Sequence, residues 1–108
     1  MERHAWKGRI FPGKLEEYIK RHDEIWPEMK VMLAQAGIRN YTIWNVGEDL
    51  FGYYECDSVQ YALQFQAASD VNKRWSTYMS DIMEMCKSPE TGEALGLNNV
   101  FCFRCSDD

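Results

Sequence analysis

The sequence predicts an α+β domain, with helices packed on one face of an antiparallel sheet. Short segments in which apolar residues alternate mark strands, and longer segments with apolar residues at helical spacing mark helices. Their order along the chain is β-α-β-β-α(α)-β. The 108 residues fit one domain, spanning 1–108, with no internal repeat or low-complexity tract.

Residues 3–11 read as the first strand. His4, Trp6 and Ile10 fall on one face, and Ala5, Lys7, Arg9 and Phe11 on the other. Pro12-Gly13 breaks the run. A helix follows from about 14 to 36, with Glu16 and Glu17 in its first turn, where the helix dipole favours negative charge. Leu15, Tyr18, His22, Ile25, Met29, Met32 and Ala36 mark one face. Pro27 has no N–H to give the carbonyl of Asp23, so a kink or short break is expected there. Gly37 suits a left-handed cap.

Strands over about 38–46 and 50–57 then join around Gly47-Glu48-Asp49, a hairpin signal. Ser58 is placed to cap a short helix to about residue 68. Ser69 or Asp70 is placed to cap another to about 86, with the stripe Val71, Trp75, Tyr78, Ile82 and Met85. Lys87 to Asn99, with Pro89, Gly92 and Gly96, reads as a loop; loops of this length often act as lids or interface arms. Asn99 to Phe103 reads as the last strand.

This order matches the ferredoxin-like βαββαβ plan. Helices cover one face of such a sheet, yet both faces of these strands carry large apolar groups. Trp44 and Thr42 alternate with Tyr41 and Ile43, and Phe51 and Tyr53 alternate with Leu50 and Tyr54. An uncovered aromatic face would be a large exposed patch. A second copy is therefore expected to cover it, giving a homodimer of the dimeric α/β barrel type.

Composition narrows the function classes. Twelve basic against seventeen acidic residues give a formal charge of −5, and no run of Lys or Arg appears. Nucleic acid and an anionic membrane surface are disfavoured as partners. No apolar leader and no stretch of about 20 apolar residues is seen, so a cytoplasmic protein is expected. Cys56, Cys86, Cys102 and Cys105 do not form a disulfide framework. Cys102 and Cys105 lie three apart in what reads as a strand, on opposite faces, so inert reduced thiols are expected. With only two histidines, His4 and His22, a multi-histidine metal site is not expected. No phosphate loop, dinucleotide fingerprint or serine-nucleophile elbow is present.

His22 is the most informative residue. It lies on the apolar stripe of the first helix, four residues after Tyr18 and above it on the same face. A histidine drawn out of bulk water beside a phenol is either a core residue held by hydrogen bonds or an acid–base group. Tyr18, Tyr41 and Trp75 come from three elements and form either a pocket or plain core. Trp26-Pro27-Glu28 marks either a bare kink or carbonyls open to a ligand. His4 has no partner at a telling spacing.

The run Glu17-Tyr18-Ile19-Lys20-Arg21-His22-Asp23-Glu24-Ile25-Trp26-Pro27-Glu28 resembles the first-helix signature of L-rhamnose mutarotases, E-Y-x-x-R-H-x-x-I-W-P-E. Gly37-Ile38-Arg39-Asn40-Tyr41-Thr42-Ile43 resembles that family's G-x-x-N-Y-x-I strand, and Arg74-Trp75-Ser76-Thr77-Tyr78-Met79 its R-W-W-x-Y-M helix. Val100-Phe101 is similar to its closing strand, so the resemblance spans essentially the whole chain. It implies a cofactor-free, dimeric isomerase with the ferredoxin-like fold, interconverting the α and β anomers of a monosaccharide by ring opening and closure. It implies that His22 is the proton donor, protonated and acting at the ring oxygen, with a tyrosine or water relaying the other proton. Tyr18, Tyr41 and Trp75 are implied as sugar contacts. Ser76 stands where the family has a second tryptophan, which widens the choice of sugar to others such as L-fucose. Two further alternatives for a fold of this type are a cofactor-free oxygenase and a ligand-binding module.

Overall fold

The computed structural model describes residues 1–92 and 94–105. Glu93 of the expected 87–99 loop and the last three residues of the expected 1–108 domain lie outside the described residues. The elements run β1 (Glu2–Ile10), α1 (Leu15–Asp23), α2 (Pro27–Gln35), β2 (Arg39–Val46), β3 (Asp49–Cys56), α3 (Val59–Ala68), α4 (Asp70–Met79) and β4 (Met83–Met85). The four strands form one antiparallel sheet in the order β2-β3-β1-β4, which is the ferredoxin-like arrangement.

Alternation fixes which face is buried. Trp6 pairs with Gly52, His4 with Tyr54 and Gly8 with Leu50. Trp6, Ile10, Leu50, Tyr54 and Cys56 share the core with Tyr18, Met29, Met32, Ala62, Trp75 and Met79 of the four helices. The opposite face carries Ala5, Lys7, Phe51, Tyr53, Thr42 and Trp44 across β1, β3 and β2. It is open, with Trp44 69% exposed.

Local signals explain most element ends. Proline breaks the first helical run into α1 and α2, with Pro27 as the first residue of α2, where a missing N–H costs nothing. Gly37 takes a left-handed φ of 80° after α2. The Ser58 and Ser69 hydroxyls accept from the backbone N–H of Tyr61 and Asn72, each cap contributing about 1 kcal/mol.

The fourth strand differs from expectation. The helix expected to reach about residue 86 ends at Met79, and Met83–Met85 pairs with Gly8–Ile10. Ser80 closes the helix, its N–H and Oγ both bonding the Thr77 carbonyl. Ile82 and Met85 continue the helical spacing of α4 by coincidence; the unpaired edge of β1 needs backbone partners and takes them from this run. The strand expected over 99–103 is absent. Those residues have no ladder, and Val100, Phe101 and Phe103 are among the most exposed apolar side chains described.

The expectation of reduced thiols also fails at one pair. Cys102 and Cys105 form a disulfide. The expectation rested on a strand that would have pointed them apart. The segment instead turns, with Arg104 at a left-handed φ of 57°, and brings the two Cα atoms to 5.8 Å. Cys56 and Cys86 are free. The 87–99 loop is tethered: Leu95 N–H bonds the Cys86 carbonyl, and Leu97 N–H the Ala5 carbonyl on β1.

Candidate active site

A cavity of about 300 Å³ opens between α1 and the β2–β3 end of the sheet. That is near the lower limit of small-molecule sites, about 300 Å³. Its polar lining includes Tyr18, His22, Asp23, Tyr41 and Asn45; Ile43, Leu50 and Trp44 are among its apolar walls.

His22 stands in the last turn of α1. Its Nδ1 lies 3.0 Å from the carbonyl oxygen of Tyr18, one turn back. A carbonyl only accepts, so Nδ1 carries a hydrogen and donates it. In the neutral ring Nε2 then holds the lone pair. The imidazole stacks on the Tyr18 ring at 4.3 Å between centroids and meets the edge of Trp75 at 5.5 Å. Burial pushes the His22 pKa below its usual 6.5, partly opposed by the Tyr18 carbonyl and Asp23.

Arg21, one residue earlier, anchors this end of α1. It bonds Glu17 at 2.8 Å, Asp81 at 2.9 Å and the Tyr78 carbonyl at 2.7 Å, with its guanidinium over the Tyr78 ring. The helix carrying Tyr18 and His22 is thus tied to the end of α4.

Tyr41 reaches the cavity through a β-bulge. Arg39 pairs with Glu55 and Thr42 with Tyr53, so Asn40 and Tyr41 together oppose Tyr54. Asn40 adopts φ 53°, a conformation asparagine tolerates better than most residues, and its side chain bonds Glu55 at 2.7 Å. The extra residue turns Tyr41 toward the helices, 5.1 Å from the Tyr54 ring. Burial raises the pKa of both Tyr18 and Tyr41, so both remain protonated phenols over any ordinary pH.

Of the residues singled out from the sequence, His22, Tyr18 and Tyr41 therefore converge on one cavity. Trp75 is buried behind the imidazole, edge-on also to Trp26 at 5.0 Å. Ser76, the next residue of α4, is exposed. The His4 ring lies tilted against Tyr54 at 5.3 Å and does not line this cavity. Sequence reasoning did not single out Trp6, whose indole N–H donates to the Tyr41 hydroxyl at 2.9 Å. The available signal was Gly52 inside a strand, since glycine there often marks a close approach by another group. Among the described residues, no three His, Cys, Asp or Glu side chains cluster as a metal site.

Comparison with known proteins gives a consistent picture. A family model described as L-rhamnose mutarotase matches residues 3–103. An L-rhamnose mutarotase of Lachnoclostridium phytofermentans is 39% identical over 104 residues, covering 94% of this chain and 97% of that protein. One of Listeria monocytogenes is 40% identical over the same shares. The crystal structure of an L-rhamnose mutarotase from Formosa agariphila superposes with a TM-score of 0.77 at 28% identity, covering 95% of this chain and 99% of that one. Tetracenomycin F2 cyclase from Streptomyces glaucescens, a type-II polyketide cyclase, superposes with a TM-score of 0.65 at 13% identity, a likeness of fold alone.

Proposed function

The chain belongs to the L-rhamnose mutarotase family, and from that premise we propose that His22 moves the proton by which it interconverts the α and β anomers of L-rhamnose. The enzyme is an isomerase, and its substrate is a small sugar. One observation carries the assignment of His22: its Nδ1 is held by the Tyr18 carbonyl, so the neutral ring has a basic Nε2 at a cavity shared with two phenols.

The chemistry follows from that state. Ring opening needs one proton removed from the anomeric hydroxyl and one delivered to the ring oxygen. The resemblance implies a protonated His22 acting at the ring oxygen; burial instead favours neutral imidazole, so we take His22 to start as the base and accept the anomeric proton. The C1–C2 bond then rotates, and His22 returns the proton when the ring closes on the other face of the aldehyde. Tyr18 and Tyr41 supply hydroxyls and flat apolar surface to the sugar. Trp75 acts through His22 by backing its ring. The ring oxygen takes its proton from a tyrosine or a water, which recovers it when the ring closes.

Ser76 favours a second reading on one ground: it replaces an aromatic plane expected in this helix. Anomer-exchange NMR across a panel of aldoses tests this directly. Rhamnose exchange is expected to exceed the buffer rate by more than that of any other sugar. If rhamnose stays at the buffer rate while another aldose such as L-fucose accelerates, the rhamnose assignment fails.

The functional unit is proposed to be a homodimer joined through the open sheet face. Trp44 and Val46, 69% and 66% exposed, support this, as does the exposed apolar arm at Val100, Phe101 and Phe103. Light scattering after size exclusion is expected to give twice the chain mass, and Trp44→Asp to shift it toward monomer. A wild-type protein that is monomeric at micromolar concentration removes the proposal. Work in the cytosol is proposed with it, where anomer-selective aldose isomerases would use the product; cell fractionation checks this.

A further inference from the structure

Tyr41 is held from behind by Trp6. The indole is 7% exposed, and its Nε1–H donates to the Tyr41 oxygen at 2.9 Å. It lies over Gly52, its neighbour on β3, where any Cβ would overlap the ring at Cε2 and Nε1. The indole is thus fixed by the sheet and cannot turn its N–H elsewhere without moving β1 or β3.

An indole N–H only donates, whereas a phenol oxygen accepts as well as donates. Trp6 therefore occupies a lone pair of Tyr41 and leaves its hydrogen for another acceptor. Tyr41 lines the same cavity as His22. Tyr54, whose hydroxyl accepts from Gln66 at 3.3 Å, is not a lining residue of the cavity.

We propose that Trp6 is a positioning residue for the mutarotation, its indole N–H fixing the Tyr41 hydroxyl as the proton donor to the ring oxygen of the sugar. The proposal rests on the reading of His22 as the complementary base. The step balances as follows. His22 Nε2 takes the hydrogen of the anomeric hydroxyl, and that oxygen becomes the aldehyde oxygen. The bond from C1 to the ring oxygen breaks, its electron pair stays on the ring oxygen, and that oxygen takes the hydrogen of Tyr41. Imidazolium and phenolate remain. Closure on the other face returns both hydrogens.

The phenolate is where Trp6 matters. Burial disfavours it, and the Trp6 hydrogen bond acts in the opposite direction. A hydrogen bond to an anion is roughly twice as strong as one to a neutral oxygen. Trp6 thus stabilises the ring-opening state more than the resting one, which raises turnover rather than affinity.

The test is Trp6→Phe, which keeps a ring and removes the N–H. Loss of a hydrogen bond to a charged group predicts a fall in kcat of about tenfold or more, with KM within about twofold. In a Tyr41→Phe background the same change should have no further effect on kcat. Trp6→benzothienylalanine, with sulfur in place of N–H and the same ring shape, should reproduce the kcat loss even if the phenylalanine variant folds poorly. Wild-type kcat in either variant overturns the proposal, as does an equal loss with and without Tyr41. His22→Ala is measured alongside. If it retains activity, the underlying reading of the site is at fault; if it collapses while the position-6 variants turn over normally, only the role of Trp6 is wrong.

Discussion

His22→Ala is expected to lower catalysed anomer exchange by about 10²- to 10⁴-fold, the usual contribution of one placed acid–base group. The fold should survive. The side chain is only partly buried, and the Tyr18 carbonyl that accepts from its ring also faces the helix ladder of α1. Circular dichroism and a melting curve near those of wild type, with exchange at the buffer rate, are the outcome expected. Full activity would make His22 a structural residue. The pH profile gives a second test of the same group. Burial holds its pKa below 6.5, so the neutral base persists as pH falls to that value and is lost only below it. The acid limb of kcat/KM should therefore lie below pH 6.5 and be missing in the alanine variant. An acid limb above that pH is incompatible with a buried neutral base. Stability follows the same sign. His4 and His22 both have lowered folded values, so the unfolded chain binds protons first. Their contribution is present above pH 6.5 and is lost as pH falls through the folded pKa.

Gly52→Ala should be the more damaging change to stability, although it adds one methyl group. Replacing a strand glycine by alanine ordinarily stabilises by roughly 0.5–1 kcal/mol. Here the new Cβ would overlap the Trp6 indole, which is itself buried in the core. Overpacking of this kind costs about 1–3 kcal/mol, at on the order of 4–8 °C of melting temperature per kcal/mol for a small domain. Turnover should fall as well, because the displaced indole leaves Tyr41. The steric cause has its own control. Trp6→Phe shortens the ring system, so the Gly52→Ala/Trp6→Phe pair should melt above Gly52→Ala alone. Thermal unfolding of the single and double variants checks it. A Gly52→Ala protein as stable as wild type would show that the indole moves without cost.

These two residues show how unevenly the site could be read from the sequence. His22 was legible because helix periodicity is local: Tyr18 and His22 stack four residues apart whatever the sheet does. Tyr41 was legible as a strand residue and as part of a motif. Its inward aim depends on the bulge at Asn40 against Tyr54, and register against another strand is not a local property. Trp6 and Gly52 lie far apart in the chain. Their contact exists only because β1 and β3 pair in one register. The fourth strand escapes local pattern for a related reason. Ile82 and Met85 fit a helix by spacing, and only the open edge of β1 decides that Met83–Met85 is a strand.

By itself the sequence determined the element order, an interruption at Pro27, a cap at Ser58 and another at Ser69 or Asp70, and a histidine facing inward beside a tyrosine. Each depends on residues within about one turn or one hairpin of each other, where backbone sterics and periodicity act directly. The tertiary structure alone decided which run closes the sheet, that Cys102 and Cys105 meet, and that Trp6 stands behind Tyr41. Strand register decides the first and third of these, setting distant residues side by side through backbone hydrogen bonds. The left-handed turn at Arg104 decides the second.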